Sequence, residues 1–444
     1  MRKQSSAFLF LIGLGSITQV HVVGSIGISE IPIFLLAPIV FIKNYRLLAH
    51  DGFLPILWLA ILATIGCFIG GVLNSCPMIF LLKGMAMIYS VFAIMTVLHG
   101  LLRNNLNGLR WLLLGIFVSS IISIFIFQQE TFIVRGGEAL QGEEAVVAVM
   151  SYALFWSHKV ADILRLPTRC VYMQTPVAYS FFSQLIVAGV YLMYSKSSGR
   201  AAAVTALMAA LFICLGGKSR VRMRKMGSQI VLIFIIMFVG LLGAKSLYSN
   251  LAKSGAIGEA ARAKYENQTR MGTSALRMLM AGRIEFFVSL RAACDRPILG
   301  FGPKAVDTNG YLASFLKEYG APEDYANHME RMRYLASKGI TEMLIPNHSI
   351  IAGSWLNCGI FGLLFCLYIL YRFYRFLRHD ASAIPQWYGY LAIALSVSIW
   401  DMFFSGIDRI NFPTMLTAIM LVSAVKRGKI ILPYEMEMEA RKWE

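Results

Sequence analysis

The sequence has little charge for its length, and most of that charge is positive. Only 15% of its 444 residues are Asp, Glu, Lys or Arg, with 41 basic residues against 24 acidic ones. Soluble domains typically carry about 25% charged residues, so this composition excludes an ordinary soluble globular protein. Hydrophobic residues make up 57% of the chain. The sequence therefore predicts an integral membrane protein.

Cysteine is also sparse, and the pattern of the cysteines excludes two classes of site. No CxxC or Cys/His spacing typical of a metal site occurs, and the dense spacing of a disulfide framework is missing. We expect no metal and no cofactor, and we interpret the cysteines as packing residues. The seven are Cys67, Cys76, Cys170, Cys214, Cys294, Cys358 and Cys366.

Long apolar runs recur along the chain. A helix needs about 20 apolar residues to cross the hydrocarbon core of a bilayer, and such runs predict an all-α integral membrane protein with about twelve transmembrane helices. The first helix follows Met1-Arg2-Lys3 directly, and we interpret it as a span, not a cleaved signal peptide. The weakest span, 145–158, is short enough to be interfacial or re-entrant. Clear spans are 53–73, 78–98, 109–127, 176–194, 229–247 and 350–371.

The basic residues fall mainly on one side of these spans. Counting the weak span, the opposite short loops hold only Arg135, Lys196, Arg200 and Arg409. The positive-inside rule then predicts that both termini are cytoplasmic. The chain divides into N-terminal transmembrane helices (1–247), a large periplasmic loop between the ninth and tenth spans (248–347), and C-terminal helices with a cytoplasmic tail (348–444).

The net charge of +17 raises the alternative of nucleic-acid binding. The cytoplasmic charges sit in short loops at helix ends, where topology alone accounts for them. We therefore expect no nucleic-acid partner.

The large loop has a basic character that the topology rule does not explain, because long loops translocate regardless of charge. It holds thirteen Lys and Arg residues against ten Asp and Glu. An arginine presents a planar cationic fork suited to phosphate oxygens. The alternative is that these arginines are solvated or paired with neighbouring carboxylates. Residues 310–319 and 325–337 have helical spacing and include tyrosines, which predicts a partly helical loop lying on the membrane surface.

Three residues near the predicted outer surface are candidates for chemistry. His348 stands where the loop re-enters the membrane, and a histidine there can take a proton from an attacking hydroxyl. The alternative is a structural histidine. Asp408 and Arg409 follow the penultimate span and would border the same cavity, or form an internal ion pair. The loop has no paired-carboxylate motif, which argues against a metal-dependent transferase.

Three segments, taken together and in order, resemble the O-antigen ligase/polymerase superfamily, bacterial membrane glycosyltransferases of the GT-C type. The first is residues 198–202, Ser-Gly-Arg-Ala-Ala. The second is Gly282-Arg283 with residues 296–302, Arg-Pro-Ile-Leu-Gly-Phe-Gly. The third is His348-Ser349 with residues 359–362, Gly-Ile-Phe-Gly. The family more often has Arg-Gly where this chain has Gly199-Arg200, and asparagine where it has Ser349.

The resemblance implies a metal-independent, inverting transfer of a glycan from undecaprenyl pyrophosphate to an acceptor hydroxyl. Carried over by position, Arg200 and Arg283 would bind the donor pyrophosphate, with Arg296 in the same signature, and His348 would act on the acceptor. The implied location is the bacterial inner membrane, with the site on the periplasmic side. The implied partners are the lipid-linked donor, a glycan or lipid A-core acceptor, membrane lipids and other polysaccharide-assembly proteins.

Two questions stay open from the sequence. A polymerase would use a second lipid-linked repeat unit as acceptor and a ligase would use lipid A-core; the idiosyncratic loop favours the polymerase slightly. The alternative class is a polytopic transporter or lipid-linked glycan flippase. Transporters often have repeated halves, and no internal repeat is evident here.

Overall fold

The chain is mainly helical throughout the part that the structure describes. The computed structural model describes residues 2–15, 19–21, 25–125, 283–320, 322–337, 344–381, 383–384, 387–406 and 410–431, with isolated positions at 205, 207–209, 211–212, 254, 262, 265–266 and 269. The elements in chain order are α1 (Arg2–Leu14), β1 (Gln19–His21), β2 (Ser25–Gly27), α2 (Glu30–Asp51), α3 (Leu54–Leu73), α4 (Met78–Leu102), α5 (Gly108–Phe125), α6 (Ile284–Asp295), α7 (Tyr311–Tyr319), α8 (Pro322–Ser337), α9 (Ile350–Arg375), a π-helical turn (Phe376–Asp380), α10 (Tyr388–Phe404) and α11 (Asn411–Lys426).

Four of these helices are long and apolar enough to cross a membrane: α2, α3, α4 and α9 with its π-helical turn. The predicted spans 53–73, 78–98 and 350–371 correspond to α3, α4 and α9. The predicted spans 145–158, 176–194 and 229–247 lie outside the described residues. The total of about twelve spans therefore stays a prediction.

The N-terminal segment differs from the predicted spanning helix. Helix α1 has 13 residues, or about 20 Å of length, which is less than the ~30 Å hydrocarbon core. Antiparallel strands β1 and β2 follow it. Gly13 packs at the crossing with α5, where an added Cβ would lie 2.2 Å from the Leu112 carbonyl oxygen. Small residues at such crossings allow close approach of helix backbones.

Helix α9 is interrupted at Gly359. This glycine has φ 61° and ψ −147°, a region that is nearly restricted to glycine. Residues 296–303, here called the docking segment, lie in the interruption. The Ile360 N–H donates to the Ile298 carbonyl at 3.0 Å, and the Phe301 N–H donates to the Leu356 carbonyl at 2.6 Å. Backbone groups freed by a break in a membrane helix need such partners, so the docking segment completes α9.

The docking segment also fits against the end of α3. The backbone of Gly302, with φ 78°, approaches so closely that an added Cβ would lie 2.4 Å from the Gly71 Cα. A Cβ on Gly70 would lie 2.6 Å from the Leu299 carbonyl oxygen. Side chains at these positions would separate the two backbones. The docking segment is therefore packed between α3 and α9.

Helices α6, α7 and α8 lie within residues 248–347, the segment predicted to be the large loop. The predicted helices 310–319 and 325–337 correspond to α7 and α8. Asp307 accepts hydrogen bonds from the Tyr311 and Leu312 N–H groups at 2.7 and 3.0 Å, which satisfies two free donors at the start of α7. An apolar core joins Val288 of α6 and Phe315 of α7 to Leu356 of α9.

A polar network lies at the other end of α3. Buried Asp51 accepts from the Arg103 Nε at 2.7 Å and contacts the His99 Nε2 at 2.8 Å. Arg427, directly after α11, donates to the Asp51 carbonyl at 2.8 Å. The end of α2, just before α3, is thus fixed to the ends of α4 and α11, while the end of α3 is fixed to the docking segment.

Candidate functional site

Arg283 directly precedes α6 and rests on two aromatic rings of α10. Its Cζ lies 5.1 Å from the centre of the Trp400 ring and 4.9 Å from that of Phe404. Residues four apart in a helix share a face, so these two rings form one surface, here called the aromatic platform. Phe286 also contacts Phe404, with ring centres 6.3 Å apart. The first turn of α6 is therefore packed against the last turn of α10.

The Arg283 guanidinium is half-buried, and this burial lowers its pKa, while Glu285 nearby acts in the opposite direction. An arginine remains charged despite such a shift. Within the described residues, the side chain of Arg283 has neither a hydrogen bond nor an ion pair, while its carbonyl accepts from the Phe286 N–H at 3.1 Å. Its cationic fork rests on two aromatic rings, and its donors are not engaged by other described residues, so it retains its capacity to bind an anion.

His348 is exposed and stands next to the N-cap of α9. Ser349 caps the helix by accepting from the Ala352 N–H at 3.2 Å, and its hydroxyl donates to the Met402 carbonyl at 2.9 Å. Carbonyl groups in the last turn of a helix lack a partner within the helix, and Ser349 supplies one for α10. The residue after His348 is thereby fixed to the end of α10.

The structure brings the Arg283 and His348 segments to the same end of one helix. Their anchors, Trp400, Met402 and Phe404, fall within five residues, or about 6 Å along the axis of α10. One segment comes from the start of α6 and the other from the start of α9. Transfer from a phosphorylated donor to a hydroxyl requires a cation that binds the phosphate oxygens and a base that takes the hydroxyl proton. Arg283 can supply the cation, and the exposed imidazole of His348 can supply the base.

Arg296 lies elsewhere. It follows α6, whose 12 residues separate it from Arg283 by about 18 Å. Its Nη1 donates to the Asn74 side-chain oxygen at the end of α3, and its Cζ lies 4.8 Å from the Phe301 ring centre. The structure therefore does not bring Arg296 to Arg283, and one pyrophosphate is too short to bridge them.

The other predicted site residues cannot be located in the same way. Arg200, Asp408 and Arg409 lie outside the described residues. By sequence, Asp408 and Arg409 fall between Gly406 and Ile410, shortly after the aromatic platform. Their roles stay predictions.

Three residues in these contacts were not identified from the sequence: Trp400 and Phe404 beside Arg283, and Asn74 beside Arg296. The i, i+4 spacing of Trp400 and Phe404 at the end of an apolar run was an available signal, because aromatic rings collect at membrane interfaces. For Asn74 the sequence contains no such signal beyond its place directly after α3.

Among the described residues, no group of three or more His, Cys, Asp or Glu side chains is placed to hold a metal ion. In comparisons with known proteins, no family model, curated protein or solved structure matches the chain.

Proposed function

We propose that the protein is a glycosyltransferase of surface-polysaccharide assembly. It would transfer a glycan from undecaprenyl pyrophosphate to an acceptor hydroxyl at the periplasmic face of the bacterial inner membrane. The observation that carries the proposal is the placement of Arg283, on its aromatic platform, at the same helix end as the His348 segment. The resemblance of the three sequence segments supplies the substrate class.

In this reaction the acceptor oxygen attacks the anomeric carbon of the donor glycan. The bond between that carbon and the phosphate oxygen breaks, and undecaprenyl pyrophosphate leaves with the electron pair. His348 takes the proton of the acceptor hydroxyl. Arg283, with Arg200 as the resemblance implies, binds the pyrophosphate and stabilises the charge it gains.

Half-burial of Arg283 strengthens this stabilisation, because an electrostatic interaction in a region of low dielectric is stronger than in water. The cation is fixed before the substrate arrives and needs no reorganisation during the reaction. Arg296 takes no part in donor binding in this proposal, since it contacts Asn74 at the far end of α6.

The acceptor decides between the two activities within this class. A polymerase adds the glycan to a second lipid-linked repeat unit, and a ligase adds it to lipid A-core. The idiosyncratic sequence of the large loop favours the polymerase, because a polymerase must recognise its own repeat unit.

A second candidate is a transporter, and the interruption of α9 at Gly359 favours it. Broken helices in secondary transporters surround substrate sites near mid-membrane. In this chain the interruption is occupied by the docking segment, whose backbone pairs with both halves of α9. This occupancy favours the enzyme over the transporter.

The test uses the purified protein with a matched undecaprenyl-pyrophosphate-linked repeat unit in metal-free buffer, with and without lipid A-core. A ladder on the donor lipid alone identifies a polymerase, and a product that needs lipid A-core identifies a ligase. We expect Arg283→Ala to lower kcat by on the order of 10²–10³ and His348→Ala by about 10²–10⁴.

Arg291→Gln is the matched control. Arg291 lies on α6, is exposed, and pairs with Glu318 at 2.9 Å, so its loss should leave turnover near that of the unsubstituted chain. No turnover of a matched donor, together with uptake of that lipid by proteoliposomes, would favour the transporter.

A further inference from the structure

A cluster of three arginines, Arg372, Arg375 and Arg427, lies at the C-terminal end of α9, away from the aromatic platform. Arg375 Nε is 3.7 Å from Asp380 Oδ2, and the Ser423 hydroxyl also donates to Asp380. Arg427 Nε donates to the Ser423 carbonyl at 3.2 Å. These contacts join α9, its π-helical turn and α11.

Arg372 is buried within this cluster, with 3% of its surface exposed. Among the described residues, its Nε and Nη2 have no hydrogen-bond partner. A guanidinium is always charged, and leaving its donors buried without acceptors is costly. Among the described residues, the titratable groups near it include Tyr368, Arg375, Arg427 and Asp380.

Two described carboxylates of this region are already engaged. Asp380 is held by Ser423 and Arg375. Asp51 contacts two histidines and Arg103, and Arg427 reaches only its carbonyl oxygen. Among the described residues, these three guanidiniums therefore share one side-chain carboxylate, that of Asp380, and the Nε and Nη2 of Arg372 have no acceptor oxygen.

We propose that Arg372, Arg375 and Arg427 form a binding site for a phosphate group. A phosphate offers several acceptor oxygens in the geometry that guanidinium forks match. Basic pockets between helix ends bind anionic lipid headgroups on the cytoplasmic side of membranes. The exposed face of α9 carries Leu364, Leu367 and Tyr371, an apolar track on which the acyl chains of such a lipid would lie. A soluble phosphate offers the same chemistry to the arginines without this track.

The test measures thermal unfolding and native mass spectra of the purified full-length chain in non-ionic detergent. The probes are dioctanoyl phosphatidylglycerol, dioctanoyl phosphatidylcholine and inorganic phosphate. At a hundredfold excess over Kd, we expect phosphatidylglycerol to raise Tm by about 3 °C and phosphatidylcholine to leave it unchanged. An equal shift with inorganic phosphate would identify a soluble phosphate as the source.

Arg375→Gln should remove most of this shift and the bound lipid in the mass spectrum. Arg378→Gln, the matched control, should keep both, because Arg378 is exposed and contacts Tyr374 instead. An equal shift in the Arg375→Gln variant, or no shift with any anionic probe, would overturn the proposal.

Arg372→Met gives a second, independent readout. Removing a buried cation without a partner should raise the Tm of the ligand-free protein while abolishing the lipid shift. A lower Tm in the ligand-free variant would mean that Arg372 has a partner within the chain, and the proposal would fail.

Discussion

The contact between Arg283 and the aromatic platform gives the first prediction at the residue scale. A cation over an aromatic face is stabilised by about 0.5–2 kcal/mol, and Trp is the best such partner. Replacing Trp400 with Leu removes one of the two rings that hold Arg283. We expect a loss of about 1 kcal/mol in donor binding, a roughly fivefold rise in KM for the lipid-linked donor.

Trp400→Phe is the matched variant, because it keeps an aromatic face and should restore most of the affinity. A structural role for Trp400 would instead lower the folded fraction, with no specific effect on KM. Equal KM values in the Leu and Phe variants would show that the ring is not what positions Arg283.

The pair formed by Arg296 and Asn74 leads to a second prediction, independent of any activity. A hydrogen bond to a charged group contributes about 1.5–3 kcal/mol. We expect Arg296→Ala and Asn74→Ala each to lower the free energy of unfolding by about 1–2 kcal/mol, and the double variant to be little worse than either. Denaturant unfolding of all four proteins measures this coupling. Additive losses would mean that the two side chains act separately.

The site was only partly predictable at this scale. His348 and Arg283 stand out in sequence because a histidine and an arginine have distinct chemistry beside apolar runs. Trp400 and Asn74 are ordinary residues at the ends of spans, and their roles come from contacts with residues distant in sequence. Such contacts depend on how the helices pack, which local patterns do not encode.

At the scale of elements, Gly359 is the position where a single added methyl group should do most damage. An added Cβ there would lie 2.0 Å from the Ile298 carbonyl oxygen, and the residue has φ 61°. Backbone strain costs about 1–3 kcal/mol and overpacking a similar amount. We expect Gly359→Ala to displace the docking segment and lower the free energy of unfolding by about 3 kcal/mol or more.

Hydrogen exchange reports on this displacement directly, because the Ile360 and Phe301 amides donate across the interruption. Both amides should exchange faster in the Gly359→Ala variant. Gly406→Ala is the matched control, since no described residue lies within 4 Å of its added Cβ. Unchanged protection of both amides would contradict the docking of residues 296–303 into α9.

Elements were more predictable than their interruptions. Apolar length gave α3, α4 and α9, and helical spacing gave α7 and α8. The break in α9 was not predicted, because residues 350–371 read as one continuous apolar run. The break depends on the docking segment, which enters from the large loop. Neither the sequence of α9 nor that of the docking segment indicates the break by itself. The short α1 has a similar origin, as strands β1 and β2 replace the continuation of its helix.

At the scale of the whole molecule, the two ends of α3 lie beside different arginines. Its start lies beside Asp51 and Arg427, and its end lies beside Arg296. Its 20 residues measure about 30 Å, the thickness of a hydrocarbon core. Arg296 and the arginine cluster around Arg372 therefore belong to opposite membrane surfaces if α3 spans the bilayer.

Cysteine labelling tests this arrangement in intact cells. Cys294, exposed on α6, is kept as the single cysteine in one variant, with the other six replaced by alanine. A second variant lacks all seven and carries Ile431→Cys, at a position that is 89% exposed just after α11. The positive-inside rule predicts that a membrane-impermeant maleimide labels spheroplasts of the first variant and not of the second. Detergent should make both react, which controls for accessibility. Labelling of the second variant alone would reverse the orientation, and labelling of both in intact spheroplasts would mean that α3 does not separate the two surfaces.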